Sequence, residues 1–167
     1  QLARRCSAAG VGRFVFLSSV KAMGPPTDCA ERCEQQCTPP TDAYGRSKWR
    51  AENALVSEFA ADPMALVILR PALVYGEAAK GNLALLAAGV KAGLPRPPAL
   101  GARSMLAVDD LVELLCVVAT GPVQAVQTWI VTDGEHYSTR SLYDLLRTAA
   151  GKGVGRAWLP LAAWRLG

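Results

Sequence analysis

Thr41-Asp42-Ala43-Tyr44-Gly45-Arg46-Ser47-Lys48-Trp49 is the stretch on which the reading of this chain turns. Pro39 and Pro40 bar a helix before it, and Thr41 or Asp42 is suited to cap one that starts here. Ala51, Leu55 and Phe59 carry an apolar stripe onward from Lys48 at helical spacing. The pattern predicts an amphipathic helix whose stripe opens with a tyrosine and a lysine. Those two residues are four apart, so they share one face and their side chains can meet. A lysine on a core-facing stripe loses hydration and ordinarily has a partner or a task.

Such a pair has a definite chemistry. A phenol, with a pKa of about 10, is a poor base at neutral pH. An ammonium held nearby favours the phenolate and moves a tyrosine toward the range of a proton shuttle. Upstream, the apolar run Phe14-Val15-Phe16-Leu17 ends in Ser18-Ser19. An α/β protein sets its reactive groups at the carboxyl ends of strands, so the Ser19 hydroxyl is a candidate to bond the same substrate oxygen. The bare Y-x-x-x-K pattern also arises by chance on a solvated helix face, and the pair alone does not separate the two readings.

Composition sets outer bounds. The chain has 167 residues, 51% hydrophobic and 19% charged, which suits one ordinary packed core rather than a disordered segment. The net charge of +4 is spread along the chain without a basic stripe, so no nucleic-acid partner is expected. No apolar run approaches the roughly 20 residues of a membrane span, and the N-terminus lacks a signal-peptide pattern; no membrane association is expected. Cys29, Cys33 and Cys37 recur every fourth residue in a Pro-bounded loop. A helical turn there would gather three thiols for a metal or a disulfide, but His136, the single histidine, is distant in sequence. The expectation is no metal, and free thiols in a reducing cytoplasm.

Along the chain, a helix ending at Gly10 leads into a strand over Arg13–Leu17. After the Tyr44 helix, Ala65–Leu69 is a continuous apolar run suited to a strand buried on both faces, closed by Pro71. A helix follows from Gly81-Asn82, with Leu83, Leu86 and Val90 in register and Gly93 after its end. Leu94-Pro95-Arg96-Pro97-Pro98 is a stiff linker. Asp109 or Asp110 opens a broad apolar helix through Val118 that packs back on a sheet. Thr128–Thr132 is a short strand, and Ser138 or Thr139 caps a last helix ending near Gly151. His136, just before that cap, is read as structural, and Trp158 and Trp164 as the start of a further packed helix.

Three motifs stand in order: Phe14 to Gly24, with Ser18-Ser19-Val20-Lys21; Ala43 to Lys48; and Leu69-Arg70-Pro71-Ala72-Leu73-Val74-Tyr75-Gly76. Together they resemble the extended short-chain dehydrogenase/reductase family, in its branch of nucleotide-sugar epimerases, dehydratases and 4-keto reductases. The resemblance covers about Gly12 to Leu161. It implies an α/β fold: the C-terminal half of a doubly wound parallel-sheet (Rossmann-type) nucleotide domain in residues 1–76 and 105–132, with part of a small substrate-binding lobe in 77–104 and 133–167. Family members begin with a glycine-rich βαβ unit, and no G-x-G-x-x-G follows a strand here. The chain is therefore expected to be an interior portion of a longer enzyme, inactive and weak in dinucleotide binding when isolated.

The resemblance also implies roles. Ser19, Tyr44 and Lys48 are the catalytic set, with NAD or NADP as cofactor and a nucleotide-sugar as substrate. Ser18, Tyr44, Lys48, Pro71, Ala72 and Val74 are expected at the cofactor, and Ser19, Lys21, Asn82 and Arg103 at the substrate. Lys21 otherwise reads as a solvated loop charge, Asn82 as a helix cap and Arg103 as a surface arginine. Arg103 to Leu111 resembles an Arg-x-aromatic-x-His-Val-x-Asp-Leu segment, with Met105 and Ala107 replacing the aromatic and the histidine. Leu73 stands where many epimerases carry asparagine, which tilts the expectation toward a 4-keto reductase or a non-standard epimerase. A flavonol- or steroid-type ketone reductase, or a chain that folds without catalysing, are the alternatives. A homodimer in the cytoplasm is the implied state.

Overall fold

The computed structural model describes residues 1–25, 31–77, 82–122 and 125–156. The expectations for Cys29 and for Trp158 and Trp164 fall outside them. Two compact units divide the chain: residues 1–72 with 108–132, and residues 73–107 with 133–167.

The first unit is built on a parallel sheet of β1 (Arg13–Leu17), β2 (Ala65–Pro71) and β5 (Val126–Val131), in the order β1-β2-β5. Every residue of β2 is buried, as an apolar run in the centre of a parallel sheet requires. Its side chains alternate between faces. Leu66 and Ile68 pack with Ala3 of α1 (Leu2–Ala8), Phe59 of α2 (Ala43–Phe59) and Met64. Val67 and Leu69 pack on the other face with Val118 of α4 (Val108–Thr120), against Leu114, Leu115 and Trp129. Burying each of these β2 side chains contributes about 2 kcal/mol. The result is a three-layer α/β/α unit, matching the Rossmann-type expectation for this part of the chain.

The element ends obey local rules. Gly10 takes φ +73° just beyond α1, a left-handed turn that glycine adopts without a Cβ penalty. Of the two candidate caps for α2, Asp42 serves: its carboxylate accepts from the Gly45 N–H at 2.9 Å. Helix α4 starts at Val108, one residue before the acidic pair, and Asp109 and Asp110 then lie in its first turn, where the helix dipole favours them. Its apolar surface is broader than its packing needs, since Val112 and Val117 are exposed. At its other end, the Arg13 guanidinium donates to the carbonyls of Val118 and of Gly121 just beyond the helix, a cation where the helix C-terminus favours one.

The second unit holds a parallel pair, β3 (Leu73–Tyr75) and β4 (Met105–Ala107), with α3 (Asn82–Lys91) and α5 (Thr139–Ala149). Neither three-residue strand was legible beforehand, because periodicity needs a longer run. Its interior gathers Val90, Met105, Leu106, Leu142 and Tyr143. The Tyr143 hydroxyl donates to the Leu94 carbonyl at 2.6 Å, and Arg96 forms an ion pair with Asp144. Ser138 caps α5 by accepting from the Ser141 N–H. Among the described residues no helix is long and apolar enough to cross a membrane.

Candidate active site

The first unit brings Ser18, Ser19, Lys21, Tyr44 and Lys48 to the carboxyl end of β1. Helix α2 crosses there because its first turn is pressed against the short 3₁₀ turn Val20–Met23. A Cβ on buried Gly45 would stand 2.6 Å from the Lys21 carbonyl oxygen and 2.9 Å from the Pro40 Cβ, so the approach demands glycine. Tyr44 is left 54% exposed, and Lys48, one turn on, is half-buried.

The Lys48 ammonium donates to the Leu17 carbonyl at 2.9 Å. It lies 5.2 Å from the Phe16 ring centroid and 5.8 Å from that of Tyr44, both within cation–π range. The partner expected of a lysine on this stripe is therefore the last carbonyl of β1. Of the three hydrogens on the ammonium, that bond uses one. Ser19 caps the 3₁₀ turn, its oxygen accepting from the Lys21 N–H at 3.2 Å, and a hydroxyl that accepts keeps its own proton to donate. Lys21 itself is exposed.

Ser18 is buried, and its hydroxyl donates to Glu52. Glu52 is also paired with Arg70: Nη2 donates to Oε2 at 2.7 Å, and Nε lies 3.1 and 3.2 Å from the two oxygens. Burial works against the Arg70 charge, but the hydrogen bond and charge of Glu52 outweigh it and raise its pKa above the ordinary value. Glu52 and Arg70 were missed beforehand. The available signal was a second i, i+4 step from Lys48 to Glu52 and an arginine ending an apolar strand.

The segment around Glu34 and Cys37 is held by the same arginine, whose Nη1 donates to the Glu34 carbonyl at 2.9 Å and lies 3.3 Å from the Cys37 sulfur. The Glu34 carboxylate accepts from the Ile130 N–H at 3.0 Å, which holds its pKa below the ordinary range. Cys6, Cys33, Cys37 and Cys116 are free thiols. Among the described residues no group of three or more His, Cys, Asp or Glu side chains could hold a metal ion.

Pro71, buried, and Ala72, half-buried, close β2 in the first unit. Val74, Asn82 and Arg103 belong to the second. There Arg103 is exposed, and its backbone pairs with Tyr137 through two hydrogen bonds of 3.0 and 2.8 Å. Tyr137 donates its hydroxyl proton to Asp133 at 2.8 Å. That bond, with burial and the carboxylate charge, pushes its pKa up to about 12.

The profile of the NAD dependent epimerase/dehydratase family matches residues 1–137. The chain belongs to that family. It is 34% identical over 170 aligned residues to a UDP-glucose 4-epimerase of Vibrio cholerae, covering 99% of this chain and 52% of the relative. An N-acetyl-alpha-D-glucosaminyl-diphospho-ditrans,octacis-undecaprenol 4-epimerase of Escherichia coli O157:H7 is 31% identical, covering 64% of this chain and 33% of the relative. The crystal structure of a Thermus thermophilus UDP-glucose 4-epimerase complexed with NAD superimposes with a TM-score of 0.70 at 25% identity, covering 99% of this chain and 60% of that one. The chain thus spans about half the length of the Vibrio epimerase.

Proposed function

We propose that the chain is part of an NAD-dependent sugar-nucleotide 4-epimerase, which exchanges the configuration at C4 of a UDP- or dTDP-linked hexose, and that it is inactive when isolated. The observation that carries this reading is the placement of Tyr44 and Lys48 one helical turn apart, with the Lys48 ammonium bonded to the last β1 carbonyl, immediately before Ser18-Ser19. The two relatives above 30% identity are both named 4-epimerases, which favours epimerisation over the keto-reduction toward which Leu73 tilts.

The donor set fits a dinucleotide. Lys48 has hydrogens left after its bond to Leu17, suited to the two hydroxyls of a ribose, and NAD is the cofactor in the Thermus complex. When bound, NAD would supply reversible hydride acceptance at C4. Everything else falls to side chains of this chain. Tyr44 takes the proton of the 4-hydroxyl as the hydride leaves and returns it afterwards. Ser19 donates its free proton to the same oxygen and orients it, with Ser18 behind it. Lys48 places positive charge beside the Tyr44 ring and holds the ribose. Pro71, Ala72 and Val74 would serve the nicotinamide end of the cofactor, and Lys21, Asn82 and Arg103 would take the sugar and its phosphates, Arg103 through its forked donors. A cytoplasmic homodimer is part of the same proposal, supported by the family resemblance.

Tyr44→Phe tests the proton transfer. In the full-length enzyme the variant is expected to lose about a hundredfold or more in kcat, with KM for the sugar nucleotide little changed. Near-normal turnover of UDP-hexose by Tyr44→Phe would overturn the reading.

A further inference from the structure

Ser18, Glu52 and Arg70 are the buried polar or charged residues among those described, at 4%, 3% and 8% exposure. All three lie in one closed ring at the end of β1. The Ser18 hydroxyl donates to Glu52; Glu52 is paired with Arg70; Arg70 follows Leu69, whose carbonyl accepts from the Ser18 N–H at 2.7 Å. Glu52 is one turn beyond Lys48, so two successive turns of α2 grip two successive residues of the chain leaving β1. Lys48 holds the Leu17 carbonyl and Glu52 holds the Ser18 hydroxyl.

Stability does not account for such a ring. Apolar residues of similar volume hold a core as well as a buried ion pair does, and often better. What apolar residues cannot do is fix the direction of a buried hydroxyl. Ser18 is the peptide link between the carbonyl that anchors Lys48 and the hydroxyl of Ser19, so its orientation is shared by both.

Resting on the 4-epimerase reading, we propose that Glu52 is a positioning residue for the proton transfer. Clamped by Arg70, its carboxylate fixes the Ser18 hydroxyl and so the path of the chain through Leu17, Ser18 and Ser19. Arg70 acts through Glu52, and neither touches the reacting atoms.

The test sets stability against turnover in the purified full-length enzyme that contains this chain, using UDP-glucose and NAD, with thermal unfolding recorded for each variant. The double variant Glu52→Leu/Arg70→Met removes the ring but keeps an apolar core. It gives up the Arg70 bond to the Glu34 carbonyl but leaves no unpaired buried charge, so it is expected to lose less stability than Glu52→Gln while kcat falls about tenfold or more and KM stays within about twofold. Glu52→Gln keeps an acceptor oxygen for Ser18 but leaves the Arg70 charge without its counterion. It is expected to be less stable yet to retain most of kcat. A purely structural ring gives the opposite ranking, with activity following stability, and that result overturns the proposal. Should the double variant fail to fold, Ser18→Ala decides, since it leaves the ion pair intact: a tenfold loss of kcat supports the proposal and an unchanged kcat overturns it. An unsubstituted protein that turns over while these variants do equally well removes the positioning role alone. An unsubstituted full-length enzyme with no turnover removes the 4-epimerase reading, and this proposal with it.

Discussion

Single residues carry two separate electrostatic signatures. Lys48 donates to the Leu17 carbonyl and faces the Phe16 and Tyr44 rings, so its loss removes both an anchor for α2 and a charge at the site. In the full-length enzyme Lys48→Ala is expected to weaken NAD binding and lower turnover together, measured by calorimetric titration and steady-state kinetics. Tyr137 is the second case. Its bond to Asp133 keeps the phenol neutral up to about 12. A raised folded pKa means that the stabilisation is complete below the unfolded value near 10 and is lost as pH rises through about 12. In an ultraviolet titration of the four tyrosines, one is expected to ionise late, and Asp133→Asn should bring that step down. A titration curve unchanged by Asp133→Asn would show that the bond does not govern Tyr137.

At the scale of elements, the decisive contact is the first turn of α2 against the Val20–Met23 turn. Gly45 permits it, and Gly45→Ala places a methyl against the Lys21 carbonyl and Pro40. The expected cost is about 1–3 kcal/mol, the range for overpacking a close interface. The same variant shifts the helix that carries Tyr44 and Lys48, so kcat should fall with it. Chemical denaturation and kinetics on one preparation check both. The cap of α5 is a gentler case: Ser138→Ala should cost about 1 kcal/mol, as the Ser141 N–H loses its acceptor. Neither loss appearing in the urea midpoint would mean that these ends are not set by the groups named.

For the molecule as a whole, acid sensitivity follows from three carboxylates. The pKa of Glu34 is lowered chiefly by the Ile130 N–H, that of Asp42 by the Gly45 N–H, and that of Asp144 by Arg96. In each case the unfolded chain binds protons more readily than the folded one. Their contribution is complete above the unfolded carboxylate pKa near 4 and is lost as pH falls through the lower folded values. Urea midpoints should therefore be level from neutrality to about pH 5 and decline below about pH 4. A midpoint that holds constant to pH 3 would contradict the assignment. The two units place these groups separately, Glu34 and Asp42 in the first and Asp144 in the second.

Local chemistry was enough to read much of this from the order of residues. Pro39-Pro40 followed by Asp42 marks the start of α2, and the run Ala65–Leu69 marks a strand buried on both faces; both signals lie within a few neighbouring residues. The Tyr44–Lys48 pair was legible because helical periodicity alone sets it on one face. The strand β5 begins two residues before the expected Thr128, since Gln127 interrupts the apolar run after Val126, and the short β3 and β4 went unrecognised. Glu52 and Arg70 were invisible as a site because each is an ordinary charged residue in its own segment. Only the packing of α2 against β1 and β2 buries them together with Ser18. The same packing supplied the partner of Lys48, a β1 carbonyl rather than a side chain. Periodicity is a property of neighbours along the chain, whereas a buried ion pair exists only once distant segments have closed around it and removed its water.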